Sequence, residues 1–165
     1  MSSKSSYTSE EWAEVLAGPY FAALYIVVAD PNFAYFKEIA AMTKAMMDSA
    51  AKTANDLIKA VAIDLTSKGT QDDIRQQFEA LKGHKDLEAL KGTIVEKITG
   101  AADIVATRSE EDSQAYRQWI LYLAEATAEG SQEGGFLGVG AVRVSDREKQ
   151  GLADLASALE VSAAS

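Results

Sequence analysis

Three glutamates, Glu125, Glu129 and Glu133, recur at intervals of four near the end of an apolar-periodic stretch. That spacing places Glu125 and Glu129 on one helix face, where like charges repel by roughly a few tenths of a kcal/mol unless a cation lies between them. Carboxylate oxygens so arranged suit a hard divalent cation such as calcium or magnesium; a solvated acidic face has the same pattern. An EF-hand is excluded, because no Asp-x-Asp/Asn-x-Asp/Asn-Gly loop occurs. The chain has no cysteine and a single histidine, His84, in a Lys-Gly-His-Lys-Asp turn. Thiolate zinc sites, iron–sulfur clusters and cysteine nucleophiles are thereby ruled out. A ferritin-like di-iron centre needs paired Glu-x-x-His motifs, and a hydrolase triad needs the same histidine beside a Gly-x-Ser-x-Gly elbow. Neither motif occurs, and the chain reads as non-enzymatic.

Two other groups of residues invite a test. Glu133 to Gly140 is rich in glycine, but no Gly-Lys-Ser/Thr ends it and a helix, not a strand, precedes it. A phosphate loop is therefore not expected, and the glycines read as turn and packing positions for Phe136, Leu137 and Val139. Around the end of the first apolar stretch, Tyr20, Tyr25 and Phe36 cluster with other aromatics. Core packing accounts for them; an apolar ligand pocket with phenolic tips is the sharper alternative.

The elements that must carry these residues are helices. A Ser or Thr followed three residues later by an acid recurs at Thr8–Glu11, Ser109–Asp112 and Ser145–Glu148, each a capping pattern that also sets negative charge at the positive helix end. Helices are expected over Ser9 to Ala29, Phe33 to Thr53, Asn55 to Ser67, Gln71 to Leu81, Asp86 to Thr107, Ser109 to Glu129 and Ser145 to Leu159. Pro19 should kink the first or split it in two. Met42, Met46 and Met47 read as core filler, and Lys68-Gly69 as a stop. Phe136 to Val144 is the one β-branched stretch, a short extended loop. The expected architecture is all-α, a single compact bundle of about six to eight helices over 9–160, with flexible tails at 1–8 and 161–165.

The 165 residues suit one domain. The net charge is −9, and −6 of it falls after residue 108, which argues against nucleic acid as the main partner. No secretory pattern opens the chain, and the longest uncharged run, Val15 to Ala29, is 15 residues, short of the ~20 that span a bilayer. A buried core helix and a cytoplasmic protein without a transmembrane segment are the expectations.

Ala29-Asp30-Pro31 closes an apolar helix with Glu38 in the next, and Gly138 to Glu148 opens a helix continued by Leu152, Leu155 and Leu159. Both places resemble the ends of the tellurite-resistance TerB-like helical domains, where an Ala-Asp-Gly turn and then Val-Ser-x-x-Glu recurs. The chain is also similar to a set of uncharacterised bacterial helical proteins with Glu-Gly-Gly-Phe-Leu-Gly before a Val-Ser-Asp-x-Glu helix start. The resemblance implies a small all-α bundle and a divalent-cation site to which Asp30, Glu38, Asp146 and Glu148 contribute. The sequence departs from the pattern at Pro31, where Gly is expected, and no Asp-Gly precedes Ser145.

The leading expectation is an interaction or assembly module, working through a protein partner or as a homo-oligomer. The first alternative is an acidic calcium- or magnesium-binding domain using Glu125, Glu129, Asp146 and Glu148. The second is a carrier of a small apolar ligand in a cleft near Tyr20, Tyr25 and Phe36.

Overall fold

A proline inside a helix has no N–H for the carbonyl four residues back. In the computed structural model the first helix, α1, nevertheless runs unbroken over Ser9–Ala29 with Pro19 inside it. The carbonyl that Pro19 cannot serve is that of Val15, and it accepts instead from the Tyr116 hydroxyl at 2.5 Å. Gly18 makes room for this contact: a β-carbon there would collide with the same hydroxyl. Pro19 is thus housed within one helix rather than between two abutting ones.

The structure describes residues 2–30, 35–81, 83, 86–130 and 144–161, without the side chains of 35–38. The further helices are α2 (Tyr35–Lys52), α3 (Asp56–Leu65), α4 (Lys68–Leu81), α5 (Leu87–Ala106), α6 (Glu110–Gly130) and α7 (Asp146–Ala158), with a short 3-10 turn at Lys4–Ser6. They form an all-α bundle with no strand among the described residues. The expectations for His84, the glycine-rich segment 133–140, the extended loop to residue 143 and the end of the 161–165 tail lie outside the described residues.

Helix α1 is the axis of the bundle and touches every other helix, α5 and α6 most extensively. It buries Val15, Leu16, Phe21, Ala22, Tyr25 and Ile26, residues spread over more than half of the helix circumference, a buried face far wider than one stripe. By length and composition alone it could cross a bilayer, yet most of it is enclosed by the other helices. Gly151 lets α7 close on its C-terminal end, with the Ala29 methyl 3.2 Å from where a β-carbon would stand.

Several sequence expectations change in the folded chain. Residues 2–8 are not a tail standing off the bundle: Ser2 and Tyr7 are buried. Lys68-Gly69 does not stop a helix but opens α4, because the Ser67 hydroxyl accepts from the Thr70 N–H at 3.2 Å and caps it. Met42 and Met46 are core residues as expected, whereas Met47 is 48% exposed, one residue further round the helix. Leu87 is also exposed.

The polar groups beneath residues 2–8 explain why that segment is held. Asp112, fully buried, accepts from the Ser2 backbone N–H, from the Ser2 hydroxyl at 2.8 Å and from Asn55 Nδ2 at 3.0 Å. Burial works against its ionised form, but the hydrogen bonds from Ser2, Asn55 and Ser109 outweigh it and hold the carboxyl below its ordinary pKa. Asp64 on α3 is lowered in the same way, burial being outweighed by Lys4 and by the Trp12 indole N–H at 2.8 Å. Arg108 donates through Nε to the Ser6 carbonyl at 2.8 Å, and its Nη2 reaches both oxygens of Glu11 at 2.8 and 2.9 Å, a charge-assisted contact. At the other side Arg117 ties Asp103 of α5 (2.7 Å) to the Leu159 carbonyl that ends α7 (3.2 Å).

Candidate functional site

Helix α6 lies along both α1 and α2. Its Tyr116, Trp119, Ile120 and Leu123 face inward and are buried. Tyr122 lies about 120° round the helix from Tyr116 at 3.6 residues per turn, and it is 45% exposed. Among the described residues it is the one exposed aromatic side chain. It stands between α2 and α6, which run antiparallel: residues 40–48 of α2 face residues 122–130 of α6, and residues 48–53 face 115–122.

Three shallow hollows meet at this ring. The first, about 500 Å³, is walled by Trp119, Ile58, Gln118, Asp48 and Lys52. The second, about 410 Å³, lies further along the same seam over Ala40, Ala41, Ala45 and Ala126, with Lys44 and Glu129 at its edges. The third, about 420 Å³, opens on the other flank of α6 beside Glu125 and Glu160. The Trp119 indole N–H reaches out of the core to the Ser49 hydroxyl at 2.8 Å, fixing the edge of the ring that lines the first hollow. Lys44 and Asp48 pair along α2 at 2.7 Å. The seam combines an apolar floor of small side chains with charged rims.

The residues singled out from sequence are dispersed. Glu125 and Glu129 sit on α6 but line different hollows on either side of Tyr122. Asp30 ends α1, its carboxylate largely buried and 4.0 Å from Arg147. Asp146 is exposed and pairs with Lys149 at 3.3 Å. Glu148 is buried, and its carboxylate accepts from the Ser145 N–H at 2.7 Å, completing the capping box of α7. The Glu38 side chain lies outside the described ones. Among the described residues, no three His, Cys, Asp or Glu side chains gather where they could hold a metal ion.

Of the three aromatics singled out, Tyr20 and Tyr25 both lie on α1. Tyr25 is buried in the core, Tyr20 is half-buried and the Phe36 side chain is not among those described. Burial raises the pKa of both tyrosines above its ordinary value. The hollow beside Tyr25, about 370 Å³, is lined by Ala29, Leu87 and Gly151 as well as by Lys91, Arg147 and Asp154.

The exposed ring and its seam were missed by a reading that followed titratable groups. The signal was there: Tyr116, Trp119 and Tyr122 recur every three residues, a spacing that walks round a helix, so the third cannot share the buried stripe of the first. No family model, curated protein or solved structure matches the chain.

Proposed function

We propose that the protein works by association rather than by catalysis, as a helical interaction module whose contact face is the α2–α6 seam. The observation that carries this reading is Tyr122, 45% exposed where three hollows meet. Tyrosine is enriched at interfaces because a rigid ring with a polar tip contributes large contact area at low entropic cost. The floor of alanines supports the same reading, since small side chains let another backbone come close. The buried Asp112, Ser113, Thr127 and Glu148 side chains are engaged in hydrogen bonds within the bundle.

Native mass spectra of the protein isolated from the cells that make it, under conditions that keep complexes together, test it. A complex heavier than the chain is expected for the wild type, and its loss is expected for Tyr122→Glu. A mass equal to the chain alone in both would overturn the association reading.

A further inference from the structure

We propose that residues 2–7 form a strap that opens and closes as one unit on a bundle that stays folded, latched by the contact of Ser2 with the buried carboxylate of Asp112. This goes beyond the association reading and does not depend on it.

The buried groups of the strap lie at its two ends. Ser2 and Tyr7 are buried, whereas Ser3, Lys4, Ser5 and Ser6 between them are exposed. Ser2 reaches Asp112 through both its N–H and its hydroxyl. Tyr7 packs beside Trp12, the ring centres 5.5 Å apart, with the Arg108 guanidinium 5.8 Å from the Tyr7 ring. The two ends are also bonded to each other, the Ser2 hydroxyl standing 2.8 Å from the Tyr7 phenol oxygen. Lifting either end breaks its bond to the other, and this couples them. The short turn between is closed by the Ser6 N–H on the Ser3 carbonyl at 2.8 Å and the Tyr7 N–H on the Lys4 carbonyl at 3.2 Å.

Opening the strap costs far less than unfolding the bundle. Tyr7 is the only large apolar side chain in residues 2–7, and its burial is set against the conformational entropy that the whole segment regains. The Lys4–Asp64 pair is 59% exposed on the lysine side, where an ion pair contributes little. The chain also has a place to break. Thr8 caps α1 by itself, its hydroxyl accepting from the Glu11 N–H at 3.2 Å while the Glu11 carboxylate accepts from the Thr8 N–H at 2.8 Å. Helix α1 therefore keeps its cap when the strap lifts, and a segment held in this way opens below the free energy of global unfolding.

The open strap bares an aromatic and acidic cleft. It uncovers Asp112, fully buried when the strap is closed, and the side of Trp12 that packs on Tyr7. Asp112 also accepts from Asn55, which lines the first hollow of the α2–α6 seam. The latch thus lies one side chain away from the contact face.

Amide hydrogen exchange of the full chain, followed residue by residue by NMR under conditions that report the opening equilibrium, tests this. The Tyr7 N–H is expected to exchange at least about a hundredfold faster than those of the core residues Ile98 and Ile120, through an opening that depends only weakly on urea. Ser2→Ala removes the hydroxyl that meets both Asp112 and Tyr7, and it should speed exchange at Tyr7, five residues away, by about tenfold. Lys4→Ala should change that rate by less than about threefold. Ile94→Val, in the core of α5, should speed the Ile98 and Ile120 amides and leave Tyr7 unchanged, because it weakens the open and closed states alike. Exchange at Tyr7 as slow as at Ile98, or acceleration of Tyr7 together with the core in Ile94→Val, would show that the strap opens only with the bundle and would overturn the proposal. An unchanged Tyr7 rate in Ser2→Ala, or a larger effect from Lys4→Ala, would remove the latch and overturn it equally.

Discussion

The Tyr116 hydroxyl donates to the Val15 carbonyl at 2.5 Å, the acceptor that Pro19 leaves without a helical partner. Tyr116 lies on α6 and Val15 on α1, 101 residues apart in the chain, so a defect local to one helix is repaired by another. The phenol is fully buried, and burial holds its pKa well above the ordinary value, which keeps it a donor across the working range of pH. Gly18 completes the arrangement by leaving the hydroxyl a place to stand. The packing of α1 against α6 is therefore tied to a Gly-Pro pair that would otherwise weaken the central helix, and it sets the rotation of α6 that turns Tyr122 outward.

Tyr116→Phe should lower stability by about 1–3 kcal/mol in urea unfolding, because a buried carbonyl loses the donor that stands in for the missing proline N–H. In a Pro19→Ala background the restored N–H at position 19 can serve Val15, and the same substitution should cost much less. Equal costs in the two backgrounds would contradict the account.

Gly18→Ala should destabilise by about 1–3 kcal/mol as an overpacking change, although alanine is the better helix former. The added methyl would collide with the Tyr116 hydroxyl and stand 3.2 Å from the Ala101 methyl and 3.3 Å from Ile120 Cδ1. Gly100→Ala in α5 meets nothing within 4 Å and should stabilise by about 0.5–1 kcal/mol. Melting temperatures moving in the same direction for both variants would tell against this packing.

Asn55 has two duties: its Oδ1 accepts from the Ile58 N–H at 3.1 Å, capping α3, and its Nδ2 donates to Asp112 at 3.0 Å. Asn55→Asp keeps the cap but removes the donor and sets a second carboxylate beside a buried one. It should cost about 1–3 kcal/mol at neutral pH, and the deficit should narrow on acidification as one of the pair takes a proton. A deficit independent of pH would show that the two groups do not interact.

The wild-type protein should lose stability in acid for a related reason. Asp112 and Asp64 both have folded pKa values below ordinary. Their contribution is fully present above the unfolded-state value of about 3.9 and is lost as pH falls through the lower folded values. Urea midpoints should therefore fall as pH drops below about 4, and Asp112→Asn should flatten that dependence. An equally steep profile in the variant would assign the effect elsewhere.

Local signals in the sequence were strong where the physics is local. Thr8 and Ser145 each cap a helix with the acid three residues on, and Asn55, Asp86 and Ser109 stand at helix starts where their short side chains serve backbone N–H groups. What escaped depends on partners far along the chain. Asp112 occupies the third position of a capping box, yet its carboxylate turns to Ser2 and Asn55, 110 and 57 residues away. Residues 2–8 look like a polar tail by composition, and the placement of Asp112, Asp64, Arg108 and the Trp12 ring holds them down. The carboxylates chosen as metal ligands share a residue type but not a location: Glu148 is a cap and Asp146 pairs along its own helix. Tyr122 was legible in principle from its angle to Tyr116, while the hollows beside it depend on how α2 lies against α6.

Photo-crosslinking from position 122 tests the central claim most directly. A benzoylphenylalanine substituted for Tyr122 should leave stability within about 0.5 kcal/mol of the wild type, as changes at an exposed side chain do. In the cells that make the protein it should capture a defined partner. The same probe at Ile63, which is 66% exposed on α3 and lines none of the three hollows around Tyr122, should capture none. Crosslinks of equal yield and variety from both positions would contradict the assignment of the α2–α6 seam as the contact face.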